Sequence, residues 1–265
     1  MSKIGHKRWY IVLLLVLCYN FVYLGRASIS IAGPVLMKEY NWNGTDFGLV
    51  STAFFIGYAL TMLPAGWLSD KFGSTKVIVA GTLLWSIFTF LTPVGAAAIS
   101  FIIVIRIVVG IGQGVTLPSA SSLISRWIPK SEAATAQGAT LVGIPFGVVF
   151  AMLGGVYLIQ NYSWQTIFYI FSIFGPIWCI LWIKFGKNSP DDDPSISKEE
   201  LEYIKKGQGS STVVNSELPT FSAKQIFSVP SVWFAIFSYF CFNYVFYLLL
   251  TWLPTYLAVG RGFTL

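Results

Sequence analysis

The sequence predicts an all-α integral membrane protein, and three observations carry that reading. Hydrophobic residues make up 55% of the 265 and charged residues only 11%, against roughly 25% charged in a soluble domain. Seven stretches are apolar over the roughly 20 residues that a helix needs to cross a bilayer. The lysines and arginines, finally, are shared very unequally between the loops on the two sides of those stretches.

In chain order the spans are expected at Trp9–Leu36, Phe47–Leu68, Thr75–Val94, Phe101–Ile124, Ala133–Ile159, Trp164–Phe185 and Val232–Val259. Interior prolines such as Pro64, Pro118, Pro145, Pro176 and Pro254 are acceptable there, because neighbouring helices re-satisfy the freed backbone groups. With the N-terminus placed in the cytoplasm, 13 of the 17 basic residues fall inside and two, Lys38 and Arg261, fall outside. That bias accounts for the net charge of +6 as a topology signal and removes the case for a nucleic-acid partner. The expected location is a plasma or inner cell membrane. No cleavable leader is read at the N-terminus, since the first apolar run is too long and lacks a small-residue cleavage site.

The polar segment between spans six and seven divides the chain into an N-terminal bundle (1–185), a cytoplasmic linker (186–229) and the first helix of a second bundle (230–265). In the linker, "SISKEELEYIKKG" reads as a short amphipathic helix. Ser197 and Glu200 have capping-box spacing, Leu201 and Ile204 form its apolar stripe, and Gly207 suits its C-terminal cap. The following "GQGSSTVVNSELP" reads as a flexible connector. A seventh helix without partners would leave its polar face in lipid, so the chain is expected to be the front part of a longer protein, working as a monomer. Cys18, Cys179 and Cys241 all lie in apolar runs and show neither a disulfide framework nor zinc spacing.

Deep within the spans lie two charged residues, Arg26 and Arg106, and no carboxylate. An enzyme would need acids, histidines or a metal cluster at membrane depth, and none is present there. Tyr19, Tyr23, Arg26 and Ser30 share one face of span one, so this polar stripe is expected to line a cavity. A guanidinium without an acid beside it offers a fork for a carboxylate or phosphate; snorkelling to the interface is the other reading. In span seven, Tyr239, Asn243, Tyr247 and Thr251 recur every four residues, a second candidate lining. Gln137 and Thr140 in span five are weaker candidates.

Two further motifs stand out. "GWLSDKFGSTK" after span two places Gly66 for close helix approach, Asp70 as a gate or cap, Lys71 at the inner surface and Gly73 in a tight turn. "RIVVGIGQGVTLP" in span four gives Gly110 and Gly114 the small-xxx-small spacing of tight helix packing. Together these resemble the major facilitator superfamily. "YLGRASISIAGP", "SWQTIFYIF", "SPDDDPSISKEELEYI" and "FYLLLTWLPTYL" narrow the resemblance to its anion:cation symporter family. The resemblance implies the major facilitator fold: a complete six-helix N-terminal bundle plus the seventh helix here, with the rest of the C-terminal bundle missing. It also implies alternating access around a small organic anion, a sugar acid or carboxylate, with H+ or Na+ as coupling ion and no other cofactor. On the same basis Arg26 and Tyr23 match substrate-binding positions, and Tyr58 faces the cavity, where residues alone would equally allow a packed aromatic. Asn243, Tyr247 and Gln113 join them around the substrate. Arg106 takes a packing or gating part more than direct contact. The chain departs from the family at Gly25 and Gln113, where proton-coupled members commonly carry aspartate and glutamate, and at Met62, where glutamine is frequent. Proton coupling by that pair is therefore not expected; exchange, facilitated movement, coupling through an acid in the missing half, and binding without transport are the alternatives.

Overall fold

Residues 5–208, 225 and 228–262 are described in the computed structural model of the chain. Among them no strand occurs, and ten α-helices follow one another: α1 Lys7–Glu39, α2 Gly44–Phe72, α3 Ser74–Gly95, α4 Ile99–Gly114, α5 Thr116–Trp127, α6 Lys130–Leu141, α7 Gly143–Asn161, α8 Trp164–Phe185, α9 Lys198–Gln208 and α10 Pro230–Thr255. A π-helical turn, Tyr256–Gly260, prolongs α10. Seven helical units among the described residues are long and apolar enough to cross a membrane, and they fall on the seven expected stretches.

Spans four and five differ from the expectation of single helices, each being broken once. α4 stops at Gly114 and α6 at Leu141. A proline lies four residues beyond each stop. Pro118 has no N–H for the carbonyl of Gly114, and Pro145 has none for that of Leu141, so the i→i−4 ladder fails at those carbonyls. Val115 and Val142 remain close to helical geometry, which keeps the two halves of each span nearly continuous.

α1 is the central post. It packs against α7 and α8 on one side and meets α10 on another, while α4 joins α2 to α3 and α3 continues to α8. Trp85, Trp127, Trp178 and Trp182 fill the interior with Phe54 and Phe168. Gly110 explains the α2–α4 contact. A Cβ there would collide with the carbonyl oxygen of Phe54 and come within 2.8 Å of the Tyr58 nitrogen, so the two backbones touch as the small-residue spacing predicts. Gly114 does the same against Tyr58. Gly66 does not: nothing among the described residues lies within 4 Å of a Cβ built there, and the expected close approach at that position is absent. Gly73 has φ +87°, the left-handed turn geometry that glycine supplies between α2 and α3.

The linker helix is tied to the start of α1. Ser197 Oγ accepts from the Glu200 N–H at 3.2 Å, the first half of the expected capping box. The second half is replaced by a contact about 190 residues away. The Glu200 carboxylate accepts from the backbone N–H groups of Lys7 and Arg8, each at 3.1 Å, and so caps α1, whose own His6 offers no side-chain cap. An anion at a helix N-terminus is favoured by the unpaired N–H groups and the dipole. Arg8 completes the knot. Its Nε lies 2.9 Å from Glu132 Oε2 and its Nη1 lies 3.2 Å from Glu200 Oε1, while Tyr203 donates to Glu132 at 2.8 Å. Lys7 pairs with Asp193 at 3.3 Å. Burial works against the Asp193 charge, but hydrogen bonds from Ser195 and the nearby Lys7 ammonium hold its carboxyl below the usual range. Gly207 is not a C-cap: α9 runs on to Gln208, and Gly207 lies against Pro129, a close approach that a side chain would block. The connector "GQGSSTVVNSELP" lies outside the described residues, apart from its first two residues, Gly207 and Gln208.

Candidate functional site

Arg26 stands well inside the 33 residues of α1, with helix running for many residues on either side, and is 5% exposed. It does not reach for an interface. Its Nε donates to Gln113 Oε1 at 3.0 Å, and its Nη1 donates to the hydroxyls of Tyr23 at 3.2 Å and Tyr247 at 2.7 Å. Its guanidinium carbon lies 4.5 Å from the Tyr23 ring centre and 4.9 Å from those of Phe54 and Tyr58. All these partners are neutral. Four aromatic faces and three oxygen dipoles stabilise the cation in a setting of low dielectric, and among the described residues no carboxylate pairs with it. Gln113 is itself held, its Nε2 donating to the Val22 carbonyl at 3.3 Å, which fixes the amide with its oxygen toward Arg26.

Arg26 and Tyr247 form a layer between two spaces. Toward the end that carries the N-terminus lies a chamber of about 230 Å³, walled by Tyr19, Tyr23, Tyr58, Gln113, Tyr239 and Asn243 together with apolar residues of α5, α6 and α7. Beyond the layer is a cavity of about 10 Å³ lined by Ser30, Ser51, Phe54, Arg106, Leu250 and Thr251. Both polar stripes expected from sequence therefore border these spaces: Tyr19, Tyr23, Arg26 and Ser30 from α1, and Tyr239, Asn243, Tyr247 and Thr251 from α10. Asn243 also donates to the Tyr239 carbonyl at 2.8 Å. Thr140 is turned away, donating to the Ala136 carbonyl within its own helix; Gln137 is not among the residues walling either space.

Arg106 lies near the same centre. It is 3% exposed, lines the smaller cavity, and lies 4.9 Å from the Phe54 ring centre. Phe54 is equally far from Arg26, so the two charges are within about 10 Å of each other. At an effective dielectric of about 20 they repel by at least about 1.7 kcal/mol. Arg106 has no hydrogen-bond or ion-pair partner among the described residues, and its Nε is fully enclosed. Its proximity to Phe54 was not readable from its own helix face, because Phe54 arrives from α2.

Gly25 lacks an acid, and the fold leaves little room for one. A Cβ there would meet the buried Trp85 ring at 3.1 Å. At the end carrying the N-terminus, Asp70 lies 3.7 Å from Arg126 with a largely exposed carboxylate, and Lys71 stacks on Trp67 at 4.7 Å. The residues that sequence patterns missed are Arg8, Glu132 and Glu200; the only local signal was the Ser197–Glu200 spacing.

A profile described as Major Facilitator Superfamily matches residues 15–265. The chain belongs to the major facilitator superfamily. Among curated relatives of this superfamily member, an ascorbate transporter of the Arabidopsis thaliana chloroplast is 38% identical over 251 residues, covering 94% of the chain and 46% of the relative. A sodium-dependent phosphate transport protein of the same chloroplast is 35% identical, with 94% and 48% covered. A probable sulfoacetate transporter of Cupriavidus necator is 32% identical, with 94% and 57% covered. The chain thus spans about half the length of the curated relatives it matches. Among solved structures, a bacterial homologue of the human lysosomal transporter Spinster, inward-facing and occupied, gives a TM-score of 0.63 at 21% identity, covering 71% of this chain and 46% of that one. The xylose transporter of E. coli in an inward-open conformation gives 0.60 at 18%, covering 78% and 53%. These two agree with the helical, multi-pass fold.

Proposed function

We propose that this facilitator-superfamily chain carries the anion-binding half of a secondary transporter for a small organic anion, a sugar acid or carboxylate, moved by alternating access. One observation carries the reading: Arg26 is a buried cation at membrane depth, held by neutral acceptors beside a chamber of about 230 Å³. A carboxylate entering that chamber supplies the missing negative charge and accepts from the guanidinium fork. Tyr23, Tyr58, Asn243 and Tyr247 surround the remainder of the substrate, and Gln113 holds Arg26 in place. The transporter names of the relatives support anion transport as the general activity. The N-terminus faces the cytoplasm on the 13-to-2 bias of basic residues.

A second reading, exchange or facilitated movement without protons, is favoured by Gly25, which carries no acid and where a Cβ would lie 3.1 Å from the Trp85 ring, and by Gln113, which cannot change charge. Uptake of labelled galactonate or glucarate into proteoliposomes tests both. Uptake above that of empty liposomes, lost in Arg26→Gln, is the expected result, and little change with an imposed pH gradient is expected for exchange. Steep dependence on the gradient would sink the proton-free reading, and binding without uptake would leave a sensor on the same fold.

A further inference from the structure

Among the described residues, the apolar interiors of the spans hold two buried guanidiniums, Arg26 and Arg106, and no carboxylate. Only one of the two is satisfied. Arg26 has three oxygen acceptors. Arg106, 3% exposed, has none among the described residues, and its Nε is enclosed without a partner. The hydroxyl of Ser51, 6% exposed and on the wall of the same small cavity, is also enclosed without a partner. A buried cation without an acceptor is strongly disfavoured, as is a buried hydroxyl whose hydrogen bond is unmade. Both of these groups border a cavity that Arg26 lines from the other side, with the Phe54 ring 4.9 Å from each guanidinium.

We propose that Arg106 and Ser51 form a second anion subsite, and that the substrate is a dianion whose two negative groups are taken by Arg26 and Arg106. This rests on the organic-anion reading of the Arg26 chamber and deepens it. Two cations match two anionic groups: a dianion leaves the buried pair with no net charge, whereas a monoanion leaves one positive charge uncompensated. In this conformation the cavity between them holds about 10 Å³, room for one water-sized group. The second anionic group therefore reaches Arg106 by displacing the Tyr247 hydroxyl, which now lies 2.7 Å from Arg26 Nη1. Tyr247 lines both spaces and is placed to yield.

The test compares probes that differ by one charge at constant length: glucarate against gluconate, and succinate against succinamate, binding to the purified protein in detergent by calorimetry. The wild-type protein is expected to bind the dianion of a pair at least tenfold more tightly. Arg106→Gln should bring that ratio close to one, Ser51→Ala should lower it about threefold, and Arg106→Lys should restore part of it. Equal binding of both members by the wild type overturns the dianion proposal alone, as does an undiminished ratio in Arg106→Gln. Should Arg106→Gln fail to fold, the ratio in Ser51→Ala decides by the same criterion. No binding of any probe by the wild type removes the organic-anion reading and this proposal with it.

Discussion

At the scale of single residues, the chain places a positive charge inside a membrane helix and surrounds it with neutral groups. Arg26 reads as part of a polar stripe from its spacing with Tyr19, Tyr23 and Ser30, but two of its three acceptors come from α4 and α10. The Gln113 amide is the informative one, at 3.0 Å from Nε. Replacing it with the acid common in proton-coupled relatives of the resembled family would put a carboxylate against the guanidinium. Gln113→Glu is expected to compete with the substrate and weaken anion binding about tenfold, since charged pairs of this kind are roughly twice as strong as neutral ones. Titration calorimetry with glucarate reads this directly, and an unchanged affinity would show that Arg26 is not the anion's partner.

At the scale of elements, the fold depends on backbones brought into contact. Gly110→Ala introduces a Cβ into the carbonyl of Phe54 and is expected to cost about 1–3 kcal/mol by forcing α2 and α4 apart, lowering the melting temperature; because Phe54 and Tyr58 belong to α2, anion affinity should fall with it. Gly66→Ala, with open space around it, should change neither. The contrast shows what local patterns carry. Span positions, the polar stripes of α1 and α10 and the Gly110–Gly114 packing face were legible because they are periodic along one helix. The breaks at Val115 and Val142 were not legible, because Pro118 and Pro145 read no differently from Pro64 and Pro176, which lie inside unbroken helices. Gly66 has the same composition as a packing glycine, and only the path of neighbouring helices separates them. The Glu200 cap on α1 joins residues more than 190 positions apart, and no pattern within "SISKEELEYIKKG" could reveal it.

At the scale of the whole molecule, α9 fastens the linker to the beginning of α1 and to α6 through Glu200, Arg8, Glu132 and Tyr203. Glu200→Gln keeps the shape and removes the charge, and is expected to lower stability by about 1–2 kcal/mol, a drop of about 2–4 °C per kcal/mol in melting temperature. Asp193 adds a pH dependence. Its carboxyl is held below its ordinary value, so its contribution is complete above an unfolded-state pKa of about 3.9 and is lost as pH falls through the lower folded value. Asp193→Asn should flatten the acid side of the melting profile, and an unaltered profile would show that the Lys7–Asp193 pair contributes nothing there. The central claim, however, is that Arg26 is the cation that receives the substrate anion. Its most direct test is the dissociation constant for glucarate in the wild-type protein and in Arg26→Gln, with melting curves for both. The account predicts at least a tenfold loss, the scale of hydrogen bonds to a charged group, with the fold retained; equal affinities in two folded proteins would contradict it.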